Sequence, residues 1–284
     1  MNYTNLIEES DLLSNLENPD WVIVDCRFDL ANPGWGFQDY QRDHIPGAVY
    51  AHLNDNLSGP TSPLTGRHPL PKMEIFANHL SGWGIDETKQ VVVYDTSGGS
   101  FAARLWWMLR LVGHEAVAVL NGSFGKWKID NYPSHSGVET NRPATFHLSQ
   151  NLPSDKFVNA EEVEQIRTDP NFCLIDARTQ ERYRGEQEPI DPVAGHIPGA
   201  INRFHGLNLQ TDGTLKSKSV LRAEFENLLK GIDPKNVVVY CGSGVTSCHH
   251  LLALDVAGLK GARLYVGSWS EWIRDSKRPR ATSN

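Results

Sequence analysis

Val237-Val238-Val239-Tyr240-Cys241-Gly242-Ser243-Gly244-Val245-Thr246 is the stretch whose reading decides the fold. Three β-branched residues and a tyrosine predict a short buried strand. A cysteine follows, then two glycines within three residues, then Thr246 as a candidate helix N-cap. Leu251, Leu252, Leu254 and Val256 continue as an apolar helical run. A strand, a tight loop and a helix start aim successive backbone N–H groups at one point. The side chain beside that point is a thiol, so the loop is expected to favour its anionic form. A core-filling cysteine is the competing reading, and the glycines and helix start count against it.

Working outward, the stretch has an earlier counterpart. Val91-Val92-Val93-Tyr94-Asp95 echoes Val237 to Cys241, and three other segments recur in the same order. Trp21-Val22-Ile23-Val24-Asp25-Cys26-Arg27 pairs with Phe172-Cys173-Leu174-Ile175-Asp176-Ala177-Arg178. His44-Ile45-Pro46-Gly47-Ala48 returns unchanged at His196 to Ala200, and Gly122-Ser123-Phe124-Gly125-Lys126-Trp127 returns as Gly267-Ser268-Trp269-Ser270-Glu271-Trp272. Ordered echoes at near-constant spacing mark a tandem duplication.

Each half alternates strand-like and helix-like runs. Strands are expected at 21–25, 48–52, 91–94 and 116–120, and helices at 72–80 and 101–111, with residues 31–37 as loop. The second half repeats the order, with helices at 160–166 and 223–229. Such alternation predicts an α/β fold, each half a mostly parallel sheet flanked by helices. The expected domains are 1–135 and 155–284, joined by a linker over 136–154, where Thr145-Phe146-His147-Leu148 is a candidate edge strand. The basic residues after Trp272 are expected to form a solvated tail.

Composition narrows the partners. The chain has 284 residues, 39% hydrophobic and 21% charged, with a net charge of −7. The balance argues against nucleic acid or an anionic membrane surface as partner. Cys26, Cys173, Cys241 and Cys248 lack the spacing of a disulfide framework or a zinc site. No basic-then-apolar leader opens the sequence, and no apolar run approaches the roughly 18 residues of a membrane span. A reducing cytoplasm is the expected location, and no metal or organic cofactor is implied.

The paired halves, the two His-Ile-Pro-Gly-Ala segments, the Val-Val-Val-Tyr-Cys strand and the closing Gly-Ser-Trp-Ser-Glu-Trp resemble the two-domain rhodanese family over nearly the whole chain. The resemblance implies a catalytically inactive N-terminal domain and a C-terminal domain whose cysteine cycles through a persulfide. Asp95 at the place matching Cys241 fits that division, since a carboxylate cannot act as a sulfur nucleophile. The N-terminal copy is then scaffold and one wall of a cleft. The loop Gly242-Ser243-Gly244-Val245-Thr246 resembles the mercaptopyruvate sulfurtransferase branch, because it lacks the basic residues typical of thiosulfate-using members. The expected reaction moves a sulfane sulfur from 3-mercaptopyruvate to cyanide or a thiol, thioredoxin included. Thiosulfate is the alternative donor, and a non-catalytic sulfur carrier or interaction module the alternative class.

Further site residues carry over by motif. Arg182 matches the family's clamp for a substrate carboxylate or sulfonate, a task suited to a planar guanidinium. A second arginine, expected nine positions later in mercaptopyruvate users, is Asp191 here, which leaves Arg184 and Arg203 as candidates for the missing charge. Asp55 and His68 match positions through which the N-terminal domain contributes to the site. His44 and His196, in identical contexts, are expected to be structural, as are Asp25 and Asp176. Cys248 is read as a buried helix residue, with a resolving thiol as the alternative. A Cys-x5-Arg phosphatase would need arginine at position 247, where this chain has serine. No histidine is spaced to demonstrate a papain-like pair.

Overall fold

A computed structural model describes residues 2–149 and 153–283. The chain forms two compact units. Met1–Gly59, Leu70–Pro153 and Gln210–Leu215 make the first; Pro60–Pro69, Ser154–Leu209 and Lys216–Asn284 make the second. Residues 60–69, early in the sequence, are therefore built into the second unit.

In the first unit the elements run β1 (Leu6–Ile7), α1 (Glu9–Leu13), β2 (Trp21–Asp25), α2 (Trp35–Arg42), β3 (Val49–Tyr50), α3 (Met73–Gly82), β4 (Gln90–Tyr94), α4 (Ala102–Leu111), β5 (Val117–Leu120) and α5 (Ser123–Ile129). The second unit repeats them as β6 (Phe157–Val158), α6 (Ala160–Ile166), β7 (Cys173–Asp176), α7 (Gln180–Arg184), β8 (Ile201–Asn202), α8 (Lys218–Leu229), β9 (Val237–Tyr240), α9 (Ser247–Val256), β10 (Arg263–Tyr265) and α10 (Ser268–Trp272). The sheet orders are β1-β5-β4-β2-β3 and β6-β10-β9-β7-β8, and every pairing is parallel. This is the α/β fold that the alternation predicts, once in each half. The strands Val91 to Tyr94 and Val237 to Tyr240 are buried along their whole length because helices cover both faces. Both end at the centre of their sheets, so Asp95 and Cys241 emerge at equivalent strand ends.

The repeated motifs explain themselves as structure. Arg27 pairs with buried Asp25, and Arg178 with buried Asp176, each at 2.6 Å. The ring Nδ1 of His44 lies 2.7 Å from the Tyr40 carbonyl, and that of His196 lies 2.7 Å from the Tyr183 carbonyl. Each ring stacks on that tyrosine. Ile45 N–H donates to the Tyr94 hydroxyl and Ile197 N–H to the Tyr240 hydroxyl, both at 3.2 Å.

Four local expectations need correction. The stretch expected as loop over 31–37 already turns helical at Trp35, because Tyr40 is fully buried and its hydroxyl reaches the Ala48 carbonyl at 2.8 Å. Helix α8 begins at Lys218, ahead of Ala223, where the Ser217 hydroxyl accepts from Val220 N–H. Residues 145–148 form no strand: Phe146 is buried and its N–H donates to the Ser81 hydroxyl instead of a sheet edge. The C-terminal segment keeps Arg274, Lys277 and Arg280 exposed, as expected, but its backbone is docked. Ala281 exchanges backbone hydrogen bonds with His196 at 3.0 and 2.8 Å, and the Trp272 indole donates to the Pro279 carbonyl. His135 and Pro133 perform the same tasks for His44 and Trp127 in the first unit.

Candidate active site

Cys241 leaves β9 with only 2% of its surface exposed, and the loop to α9 wraps around its sulfur. The turn depends on Gly244, whose φ is +75° and whose missing Cβ would fall 2.2 Å from the Val266 carbonyl oxygen. Only glycine fits both demands. The loop is also held from behind. Cys241 N–H donates to the Ser268 hydroxyl at 3.1 Å, Trp269 N–H to the Cys241 carbonyl at 3.0 Å, and Ser270 N–H to the Gly242 carbonyl at 2.9 Å. The closing Gly-Ser-Trp-Ser motif is thus the backing of the cysteine loop, with Ser268 in the left-handed region at φ 54°.

Around the sulfur, the donors are side-chain hydroxyls and backbone N–H groups. The Ser247 hydroxyl donates to Sγ at 3.5 Å. Burial pushes the Cys241 thiol pKa up, yet hydrogen bonds from the Ser247 and Thr246 hydroxyls and from the Ser243 and Ser247 N–H groups outweigh it, so the pKa lies below the ordinary thiol value. The contrast with other buried thiols is decisive. Burial raises Cys26 well above the ordinary value and takes Cys173 up to about 11. The loop, and not burial, makes Cys241 acidic.

Thr246 stands at the N-cap position of α9, as expected. Its side chain makes no capping hydrogen bond and instead supports the sulfur. Ser247 was visible in the sequence only as the absence of an arginine. Its signal was available: the first residue of the helix brings both its N–H and its hydroxyl back over the loop.

The first unit shows the same loop around a different anion. The Asp95 carboxylate accepts N–H groups from Ser97 at 2.7 Å, Gly99 at 2.9 Å, Phe101 at 2.7 Å and Ala102 at 2.9 Å. Phe124 N–H donates to the Asp95 carbonyl, as Trp269 N–H does to that of Cys241. The cradle is thus an anion site in both halves, and in the first half a permanent carboxylate fills it.

Beside the Cys241 loop lie charged groups that come from separate segments. A Cβ placed on Gly242 would be 2.9 Å from Arg67 Nη2, 3.5 Å from Arg182 Nη2 and 3.6 Å from Asp191 Oδ2. Arg182 donates to Glu188 at 2.7–3.1 Å and to Asp191 at 3.2 Å. Arg67 pairs with the other Asp191 oxygen, and its N–H donates to the Ser270 hydroxyl at 3.0 Å. Gly66 permits this approach, since a Cβ there would meet the Gly267 carbonyl oxygen at 2.5 Å. His68, two residues after Gly66, is 6% exposed, with Nδ1 2.7 Å from the Ser243 hydroxyl.

The remaining candidates have other partners. Arg184 sits two residues beyond Arg182, about 200° round the helix, and is exposed with Glu186 at 3.7 Å. Arg203 donates to Glu224 at 2.7 Å and Asn208 at 3.1 Å, with its guanidinium over the Phe225 ring. The second positive charge beside Gly242, after Arg182, is that of Arg67. Asp55 belongs to the first unit, where it is exposed and pairs with His52 at 2.9 Å. Cys248 is fully buried, with its thiol donating to the Gly244 carbonyl at 3.4 Å.

Comparison with known proteins agrees with this architecture. A rhodanese-like domain model matches residues 8–130 and again 159–275. A probable 3-mercaptopyruvate sulfurtransferase from Pseudomonas aeruginosa is 43% identical over 287 aligned residues, covering 100% of both chains. A putative thiosulfate sulfurtransferase from Mycobacterium tuberculosis is 37% identical, covering 96% of this chain and 95% of its own. The solved 3-mercaptopyruvate sulfurtransferase of Escherichia coli superposes with a TM-score of 0.79 at 32% identity, covering 95% of this chain and 100% of that one. With two matched domains and relatives that align end to end, the chain belongs to the rhodanese-like family.

Proposed function

We propose that this chain is a sulfurtransferase that moves a sulfane sulfur from 3-mercaptopyruvate to a thiophilic acceptor through a persulfide on Cys241. The observation that carries the reading is a thiol acidified by its loop against the effect of complete burial. A thiol held below its ordinary pKa is a readier nucleophile than a typical cysteine. Its thiolate attacks the donor's sulfur, forming the S–S bond as the donor's S–C bond breaks. The electron pair stays on carbon as an enolate, which takes the proton from the transferred sulfur and leaves as pyruvate. Cys241 then carries an anionic persulfide, stabilised by the hydroxyls and N–H groups that stabilised the thiolate. An acceptor such as cyanide attacks the outer sulfur, breaks the S–S bond and returns the thiolate.

Arg182 is the anchor for the donor's carboxylate, since its guanidinium lies beside Gly242. His68 and Ser243, in contact at 2.7 Å, form the polar wall next to the sulfur. The neutral loop and the full-length similarity to a probable mercaptopyruvate enzyme favour that donor. A thiol, either small or on a protein such as thioredoxin, is the proposed alternative to cyanide as acceptor. Four free cysteines suit a reducing cytoplasm.

The test supplies mercaptopyruvate or thiosulfate with cyanide and follows thiocyanate, with Cys241→Ser as control. Mercaptopyruvate should be the better donor and the variant inactive. Activity surviving in Cys241→Ser ends the persulfide reading, and a strong preference for thiosulfate ends the donor assignment.

A further inference from the structure

Position 191 holds a carboxylate beside a loop that binds anions, and the chemistry of that placement has a consequence for which donor is accepted. The Asp191 side chain is 2% exposed and lies between two guanidinium groups, Arg67 on one oxygen and Arg182 on the other. Glu188, 4% exposed, takes the rest of Arg182 and also meets Arg178 at 3.2 Å, which is itself matched by Asp176. Arg67, Arg182, Glu188 and Asp191 therefore sum to zero formal charge. The loop residues Gly242 to Thr246 add none.

Arg67 is not exhausted by its pairing. Nη1 holds Asp191, while Nη2 has no hydrogen-bond partner among the described residues and faces Gly242. A donor's anionic group arriving at the loop thus meets the open Nη2 of Arg67, beside an Arg182 Nη2 that is shared between Glu188 and Asp191. The Asp191 carboxylate faces the same place, with Oδ2 3.6 Å from the position of a Gly242 Cβ.

We propose that the Arg67–Asp191 pair determines donor specificity: Arg67 supplies an open guanidinium nitrogen beside Arg182 for the donor's anionic group, and Asp191 cancels one positive charge so that a singly charged donor is preferred over a doubly charged one. The inference rests on the sulfurtransferase reading above. Mercaptopyruvate brings one carboxylate charge, which the open Arg67 nitrogen can pair. Thiosulfate brings two negative charges to a cluster that already balances, within a few ångströms of a buried carboxylate. Like charges at such range in a poorly solvated site repel strongly. Exclusion by charge needs no change in the shape of the site.

Steady-state kinetics on the full chain test this with both donors and cyanide. Asp191→Asn should raise kcat/KM for thiosulfate relative to mercaptopyruvate by on the order of tenfold, the effect of one nearby unit charge. Asp191→Glu, which keeps the charge, should leave the ratio near that of the native chain. Arg67→Met, which keeps the apolar stem, should raise KM for both donors while kcat changes little. The exchange Arg67→Asp with Asp191→Arg should recover part of that loss. A ratio unmoved in Asp191→Asn, an equal movement in Asp191→Glu, or an unchanged KM in Arg67→Met overturns the inference. Sulfur loading of Cys241, read by mass spectrometry, separates the two levels. A native chain that loads normally while the ratio stays fixed defeats only the specificity role, and one that loads from neither donor defeats both readings.

Discussion

Replacing Ser247 with alanine removes one hydroxyl from the Cys241 sulfur and changes little else, because Ser247 is fully buried and its backbone N–H stays in place. A hydrogen bond to a charged group contributes about 1.5–3 kcal/mol, so its loss should cut the thiolate fraction at a pH below the thiol's titration by about tenfold or more. The sign follows from the direction of the shift. Cys241 titrates below the ordinary thiol value because its hydrogen bonds favour the anion, and removing one moves the titration upward. The acid limb of the rate–pH profile should therefore move to higher pH, with the native and variant rates converging at alkaline pH where both thiols are ionised. The same group links to stability: the depressed thiol adds stability above the unfolded thiol's pKa, and that contribution fades as pH falls through the folded value. The assay is the pH dependence of alkylation of Cys241 by a small haloacetamide, alongside single-turnover sulfur transfer. An acid limb that does not move in Ser247→Ala would refute the claim that this hydroxyl sets the thiol's acidity.

Three further outcomes follow from the same geometry. Ser268→Ala leaves the buried Cys241 N–H without its acceptor and should cost about 1–3 kcal/mol of stability, with sulfur transfer reduced, by thermal denaturation and turnover. Gly244→Ala forces a Cβ into the Val266 carbonyl at positive φ; it should lower stability by about 2 kcal/mol or more and abolish transfer, and a native Tm would contradict the turn's role. Asp95→Ala strips four N–H groups of their common acceptor, so unfolding of the first unit should become easier by about 3 kcal/mol or more, read by hydrogen exchange at residues 97–102.

Much of the fold was legible because the duplication supplied an internal control. Asp95 opposite Cys241 separated what the loop geometry needs from what the chemistry needs, and the shared histidines were readable as structure because they recur in both halves. The parts that escaped are those decided by contacts between distant segments. Arg67 and Asp191 are 124 positions apart, and nothing local in Arg67-His68-Pro69 announces that it backs onto Ser270 and reaches Gly242. Arg184 and Arg203 were reasonable by proximity in sequence, but the helical turn points the first away and Glu224 engages the second. The basic tail has a solvated composition, yet its backbone is needed to complete the edge at His196. Thr246 was legible as a cap that could also reach the sulfur and Ser247 only as a missing arginine; it takes the position of the sulfur to show that both hydroxyls serve it.

The central claim is that Cys241 carries the transferred sulfur. Incubating the full chain with mercaptopyruvate, digesting it and mapping the added sulfur by mass spectrometry tests this directly, with cyanide added to a second sample. The account predicts one extra sulfur atom on the peptide containing Cys241, removed by cyanide with stoichiometric thiocyanate and absent in Cys241→Ser. Sulfur found on Cys248 or elsewhere, or turnover with no sulfur on Cys241, would contradict it.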